Sequence, residues 1–324
     1  MASSSGPERP DGGSSQPEPA ARLDVAEIEA AEEIEQAPAA ERALGEQAGE
    51  QRGRGWITAL WALPGFVWLG FFLLAPLVFI VLVSFWTYSQ GAKSGFTTDW
   101  TLDNYSRLFH DSTYWHNMLT SFYSSLIVVA ACLVFGFPVA YFLALKVENL
   151  RNQIGLFLLA LAPFWTSFLI RSVAWTYPLN YILSKVGVAS FSSASVRLAL
   201  IQLYILFMVT PLFFTLAQVD RAAVEAARDL GGNWWRTFRE VILPQAMPGV
   251  VIGSIFVFVL TMGEYGTVLV VGGNKIQSVG TIVNSYIQLA VQYPYGAAAA
   301  VWLVLALIAG VFVIMRFSNL REEL

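Results

Sequence analysis

Six apolar runs free of Asp, Glu, Lys and Arg dominate the chain: 56–86, 117–145, 152–170, 198–219, 241–263 and 276–315. Each supplies the roughly 20 residues that a helix needs to cross the hydrocarbon core, and the first and last are long enough to include interfacial or loop portions as well. The pattern predicts an all-α polytopic membrane protein of six transmembrane helices. Pro76, Pro138, Pro163, Pro178 and Pro211 fall within or at the ends of these spans. Proline kinks a membrane helix, and neighbouring helices take up the freed carbonyls, so kinked helices can line a cavity. Gly249 and Gly253 place small residues four apart on the fifth helix, a face that permits close helix packing.

Composition supports the bilayer assignment: 56% of the 324 residues are hydrophobic and 13% are charged, against about a quarter charged in soluble domains. The net charge of -4 is unevenly spread. Residues 1–55 hold twelve Asp and Glu against five Arg, a balance of -7, so the remainder carries +3. That tail is rich in Pro, Gly, Ser and Ala and has no aromatic residue before Trp56. It reads as a disordered acidic segment with a transient helix over 25–35, and it lacks the basic start and apolar core of a signal peptide. The expected division is therefore a cytoplasmic tail, 1–55, and a transmembrane domain, 56–324. Ten Lys and Arg flank the helices on one side, including Arg52, Arg54, Arg221, Arg236 and Arg321, against five or six on the other, including Lys93, Lys185 and Lys275. This bias places both termini and the loop 220–244 in the cytoplasm. Cys132 reads as a small buried hydrophobe, and His110 and His116, in the external connection 87–116, as ordinary loop histidines rather than metal ligands.

The loop 220–244 is too polar to span. On a helix over 220–230, Ala223, Ala226, Ala227 and Leu230 share one side, while Arg221, Glu225, Arg228 and Asp229 gather on the other. Gly231 and Gly232 allow a left-handed turn that ends it, and a second short helix over 233–241 leads into Leu243 and Pro244. Two short helices joined at glycine form a knob, small on one face and ionic on its rim, suited to a groove on another protein.

The spacing of Glu225-Ala226-Ala227, Gly231, Val241 and Leu243-Pro244 resembles the EAA loop of ATP-binding-cassette importer permeases, with Val241 where that family usually has Ile. Three further stretches resemble the permease subunits of spermidine/putrescine importers: Pro163 to Arg171 with Ala174-Trp175, Gly263-Glu264-Tyr265 followed by Gly272-Gly273, and Tyr293 to Ala297. The resemblance implies the type I importer permease fold with cytoplasmic coupling helices, and assigns Glu225, Ala226, Ala227, Gly231, Val241, Leu243 and Pro244 to ATPase coupling. It also implies two ATP-binding subunits, a second permease chain that is homologous or identical, an extracytoplasmic substrate-binding protein, and a bacterial inner-membrane location. The chain has no Gly-x-x-x-x-Gly-Lys-Ser/Thr loop to cradle a nucleotide. It is accordingly expected to be a transporter subunit with no catalytic residue, metal, cofactor or nucleic acid of its own, ATP and Mg belonging to the partner ATPase.

Glu264 is the carboxylate within the predicted spans, where a charge needs a partner or water. With Trp165, Trp175, Tyr177 and Tyr265 as aromatic walls, it suits an organic ammonium through ion pairing and cation–π contact. The competing reading is a structural pair between Glu264 and Arg171. The resemblance implies a small organic cation, a polyamine such as spermidine or putrescine. The stretch 266–274 is as similar to sulfate or molybdate permeases; for an oxyanion, Arg171 would matter to the substrate and Glu264 would be tied up in packing. An ion-gradient transporter would call for an inverted repeat and further intramembrane ionisable groups, neither of which the sequence displays.

Overall fold

The computed structural model describes residues 61–89, 95–185, 187 and 191–317. The acidic tail with its expected helix, the basic residues Arg52, Arg54, Lys93 and Arg321, and the start of the first apolar run lie outside the described residues. The chain divides into two compact units, Met1–Ala75 and Pro76–Leu324. Of the first, the described part is the opening of helix α1, Trp61–Ser84; the second carries everything below.

Long apolar helices build that second unit. They are α3 (Ser112–Tyr141, prolonged by a π-helical turn Phe142–Lys146), α6 (Ser193–Leu216), α9 (Leu243–Met262) and α12 (Tyr293–Phe317). With α1, five helices among the described residues are long and apolar enough to cross a bilayer, and a sixth crossing exists if one bent pair is counted as a span. That pair replaces the straight third helix expected over 152–170. Helix α4 (Leu150–Leu161) runs through a 3-10 turn at Ala162–Trp165 and then turns by 87° into α5 (Phe168–Lys185). Pro163 cannot donate to the α-helical ladder, and Thr166 adopts an extended backbone, ψ 137°. Beyond the bend, α5 buries Ser172, Thr176 and Asn180 by returning their polar groups to the backbone: Thr176 Oγ1 donates to Ser172 O and Asn180 Nδ2 to Thr176 O, each at 2.8 Å.

The last run, 276–315, also divides. Helix α11 (Val279–Gln288) starts with a capping box at Ser278 and Thr281, and α12 follows after a reversal through Val291, φ 55°. The connection 87–116, expected to be an external loop, is largely regular structure among its described residues. It holds an antiparallel hairpin, β1 (Trp86–Tyr88) with β2 (Phe96–Trp100), and helix α2 (Asp103–His110). Asn104 fastens α2 to the end of α1 by donating to Ser84 O and Trp86 O, both at 2.9 Å. His110 therefore closes α2, its Nδ1 2.8 Å from Ser106 O, and His116 sits in the first turns of α3; neither is a loop residue.

The main core lies where α6 packs between α3 and α9, around Val128, Cys132, Met208, Val209, Leu212 and Val257. Cys132 is fully buried there, as expected of a small hydrophobe. Gly249 and Gly253 are the contact points of α9 on α6. A Cβ at Gly249 would lie 2.2 Å from Thr215 Oγ1 and 2.8 Å from Pro211 O, and one at Gly253 would lie 2.7 Å from Met208 Sδ. Gly249→Val should therefore force α6 and α9 apart, lowering stability by about 1–3 kcal/mol, the range for overpacked sites. The thermal midpoint of the purified protein in detergent tests this, and an unchanged midpoint would show that the contact is slack.

Candidate functional site

The end of α9 is a break rather than a continuous helix. Gly263, Glu264 and Tyr265 separate α9 from the short helix α10 (Gly266–Gly272). The break is gripped from the side by the start of α11: Ser278 Oγ donates to Glu264 O at 3.0 Å, and a Cβ on Gly280 would fall 2.9 Å from Gly263 O. Glu264 thus stands at a helix junction, not within a span. One carboxylate oxygen accepts from Thr267 N–H of α10 at 2.8 Å, and the other accepts from the Tyr204 hydroxyl of α6. Thr267 in turn meets Ser172 of α5, Oγ1 to Oγ at 3.0 Å, which ties the junction to the bent pair.

A cavity of about 500 Å³ opens beside this junction. It is lined by Phe164, Trp165, Thr166, Ser167, Phe168 and Arg171 from the bend and the start of α5, Leu203, Tyr204 and Phe207 from α6, Leu260 from α9 and Glu264 from the junction. Of the residues proposed for a substrate path, the fold brings Glu264, Arg171 and Trp165 together here. Trp175, Tyr177 and Tyr265 do not line it, and Trp165, 86% exposed, stands at its rim. The Glu264–Arg171 salt bridge of the competing reading does not form: among the described residues the ion pair is Arg236–Glu240, at 3.1 Å. Arg171 instead holds its guanidinium 5.6 Å from the Phe164 ring centre, with Nε and Nη1 buried and without a hydrogen-bond partner. Tyr204 and Phe207 were not singled out in the sequence. Both sit in an apolar run, where an aromatic residue reads as packing.

The polar loop folds as two helices, α7 (Arg221–Asp229) and α8 (Trp234–Thr237). Asp220 caps α7 by accepting from Ala222 N–H at 2.9 Å, and Asn233 caps α8 by accepting from Arg236 N–H at 2.8 Å. Ala223, Val224 and Ala227 are half-buried, with Val224 packed on the main core, whereas Glu225, Ala226 and Leu230 are exposed, Leu230 by 90%. The expected alanine face is therefore split, and Val224 does the inward packing. Gly231 takes φ +82°; Gly232 has no room for a side chain, since its Cβ would lie 2.5 Å from Ala227 O. Val241 lies in a π-helical turn, Phe238–Ile242, and Leu243 and Pro244 open α9, so helical backbone runs without interruption from Trp234 to Met262. A groove of about 190 Å³ flanks the knob between Ala227, Leu230, Gly232, Arg236 and Glu240.

At the opposite end of α3, Asp111 caps the helix through Thr113 and Tyr114 N–H and accepts from the hydroxyls of Tyr286 at 2.6 Å and Tyr295 at 2.8 Å. One carboxylate thus joins α3, α11 and α12. Burial pushes its proton affinity up, but the two phenols and two backbone N–H groups outweigh burial and hold it below the ordinary 3.8. A carboxyl depressed on folding stabilises the fold above its unfolded value, and that contribution disappears as pH falls through the folded value. Thermal melts carried from neutral pH to below 3.8 should show wild type losing its advantage over Asp111→Asn on acidification; parallel curves would remove Asp111 from the account.

Comparison with known proteins places this architecture. No protein-family profile matches the chain. The spermidine/putrescine transport system permease protein PotB of Escherichia coli (strain K12) is 33% identical over 272 residues, covering 79% of this chain and 96% of that protein. PotB of Salmonella typhimurium (strain SL1344) is 33% identical, covering 79% and 92%, and PotB of Haemophilus influenzae is 31% identical over 273 residues, covering 80% and 93%. Among solved structures, a bacterial ABC transporter involved in the import of the acidic polysaccharide alginate superposes with a TM-score of 0.58 at 16% identity, covering 84% of this chain and 98% of that one. The same alginate transporter in complex with its pentasaccharide-bound periplasmic protein gives 0.55. The fold is that of an importer permease, and on the sequence match the chain belongs to the spermidine/putrescine transport system permease family, as a multi-pass membrane subunit of the ATP-binding-cassette importer kind.

Proposed function

We propose that this chain forms part of the translocation path for a polyamine or a related small organic cation. The observation that carries the mechanism is the unbroken helix from Trp234 to Met262, which has the exposed knob at one end and the Glu264 junction at the other. In this reading the knob, with Glu225, Ala226, Ala227 and Gly231 at its surface, seats on a separate ATPase that holds ATP and Mg, while Val241, Leu243 and Pro244 join it to the crossing helix. Closure of two such ATPases moves the knob. Because a helix transmits displacement along its axis, the Glu264 junction moves with it and the cavity changes access. A second permease chain completes the path, a substrate-binding protein delivers solute from outside, and both termini lie in the cytoplasm. The names of the relatives support the polyamine, as does the chemistry of a carboxylate within an aromatic cavity.

A second reading, an oxyanion, is favoured by one feature: both Glu264 oxygens have donors, whereas Arg171 has N–H groups with none. The complete system expressed in cells lacking polyamine uptake separates the two. Saturable, energy-dependent accumulation of labelled spermidine is expected; accumulation of labelled sulfate or molybdate without spermidine would select the oxyanion reading.

A further inference from the structure

The cavity holds two opposite charges that are not paired with each other. Glu264 is engaged by Tyr204 and Thr267, and Arg171 rests above Phe164 with two buried N–H-bearing atoms left over. A buried donor without an acceptor is unfavourable, the more so when it is charged. Guanidinium over an aromatic face is the partial compensation available. This is also where an organic ammonium would lie: on a ring at the cavity wall, near a carboxylate whose oxygens each keep a second lone pair.

We propose that Arg171 is a tethered stand-in for the transported cation, occupying the cation position of the cavity and surrendering it when substrate enters. The inference rests on the organic-cation reading above and adds what sets selectivity. With Arg171 in place, the charges of Arg171 and Glu264 cancel within one cavity, so a lone small cation finds little net attraction there. A ligand has to displace the guanidinium from Phe164. A polycation does so with several ammonium groups, one on the ring and one at Glu264, whereas a monoamine offers a single contact. Arg171 thereby acts as the repulsive element that separates correct from incorrect cations.

Equilibrium dialysis of labelled spermidine and labelled butylamine against the purified permease–ATPase assembly tests this, with the binding protein omitted so that its own preference does not enter. Arg171→Gln should tighten butylamine binding and narrow the spermidine-to-butylamine preference by about tenfold, one decade of affinity. Arg171→Lys should retain most of the preference, and Phe164→Leu, which removes the perch but no charge, should narrow it in the direction of Arg171→Gln. If Arg171→Gln weakens both amines equally or leaves their ratio unchanged, Arg171 is a structural residue and the inference is overturned; Phe164→Leu decides the matter where Arg171→Gln fails to assemble. Failure of the complete wild-type system to accumulate spermidine would instead remove the cation reading on which the inference stands.

Discussion

Gly232→Val should abolish ATP-driven uptake while leaving the chain inserted in the membrane. The Cβ of any residue at 232 meets backbone, Ala227 O at 2.5 Å, so relief requires α7 to move against α8 and not merely a rotamer change. The neighbouring position makes the contrast. Gly231 has open space around it and needs only its φ of +82°, a conformation that costs an ordinary L residue about 1–2 kcal/mol and asparagine less. Gly231→Asn should accordingly keep most activity. If the knob seats on an ATPase, a displaced α7 loses docking energy, and each 1.4 kcal/mol lost weakens the contact by about tenfold. Glu225→Lys, which inverts an exposed charge without touching the turn, should weaken docking by a different route. Co-purification of the ATPase with each variant, together with uptake by whole cells, gives the measurement. Normal co-purification and uptake by Gly232→Val would show that the knob is not where force enters.

The parts of this molecule legible in its sequence are those where a local rule meets no competing one. The apolar runs at 198–219 and 241–263 become α6 and α9, and Gly249 and Gly253 become a helix contact, because length and small side chains decide both outcomes without help from distant residues. The third run shows where the rule stops. Reading it to Ile170 and ending on Arg171 treats charge as the boundary, yet the α helix ends at Leu161, ahead of Pro163, and α5 continues past Arg171, its buried Ser172, Thr176 and Asn180 side chains each bonded to the carbonyl one turn back. Hydropathy is blind to polar groups that bond within their own helix. The strands of the hairpin are rich in the aromatic and β-branched residues that favour pleated structure, Trp86-Thr87-Tyr88 and Phe96-Thr97-Thr98, but each is too short to stand out beside the long apolar runs. In the site, Glu264 and Arg171 stood out as charges among apolar neighbours. Their arrangement did not, since Tyr204 lies 60 residues before Glu264 in sequence and a tyrosine in an apolar run carries no mark of the carboxylate it will meet.

The sharper test of the cavity is Glu264→Gln. Glutamine keeps an acceptor for Thr267 N–H and places an amide against the Tyr204 hydroxyl, which can accept as well as donate, so the break between α9 and α10 retains its hydrogen bonds. What disappears is the negative charge. A charge-assisted hydrogen bond, about 1.5–3 kcal/mol, is worth roughly twice a neutral one, so losing the charge costs about half of it and uptake of an organic cation at limiting concentration should fall about three- to tenfold while assembly with the ATPase is unchanged. Tyr204→Phe divides positioning from charge: the carboxylate remains and loses one of its two donors, so a smaller loss is expected, expressed in affinity for the cation. The oxyanion reading gives the opposite sign. Removing a negative charge beside Arg171 would then raise uptake of the anion, and Arg171→Gln would abolish it. Unchanged spermidine uptake by Glu264→Gln, with the assembly intact, would reduce Glu264 to the cap of α10 and leave the aromatic wall to bind the cation alone.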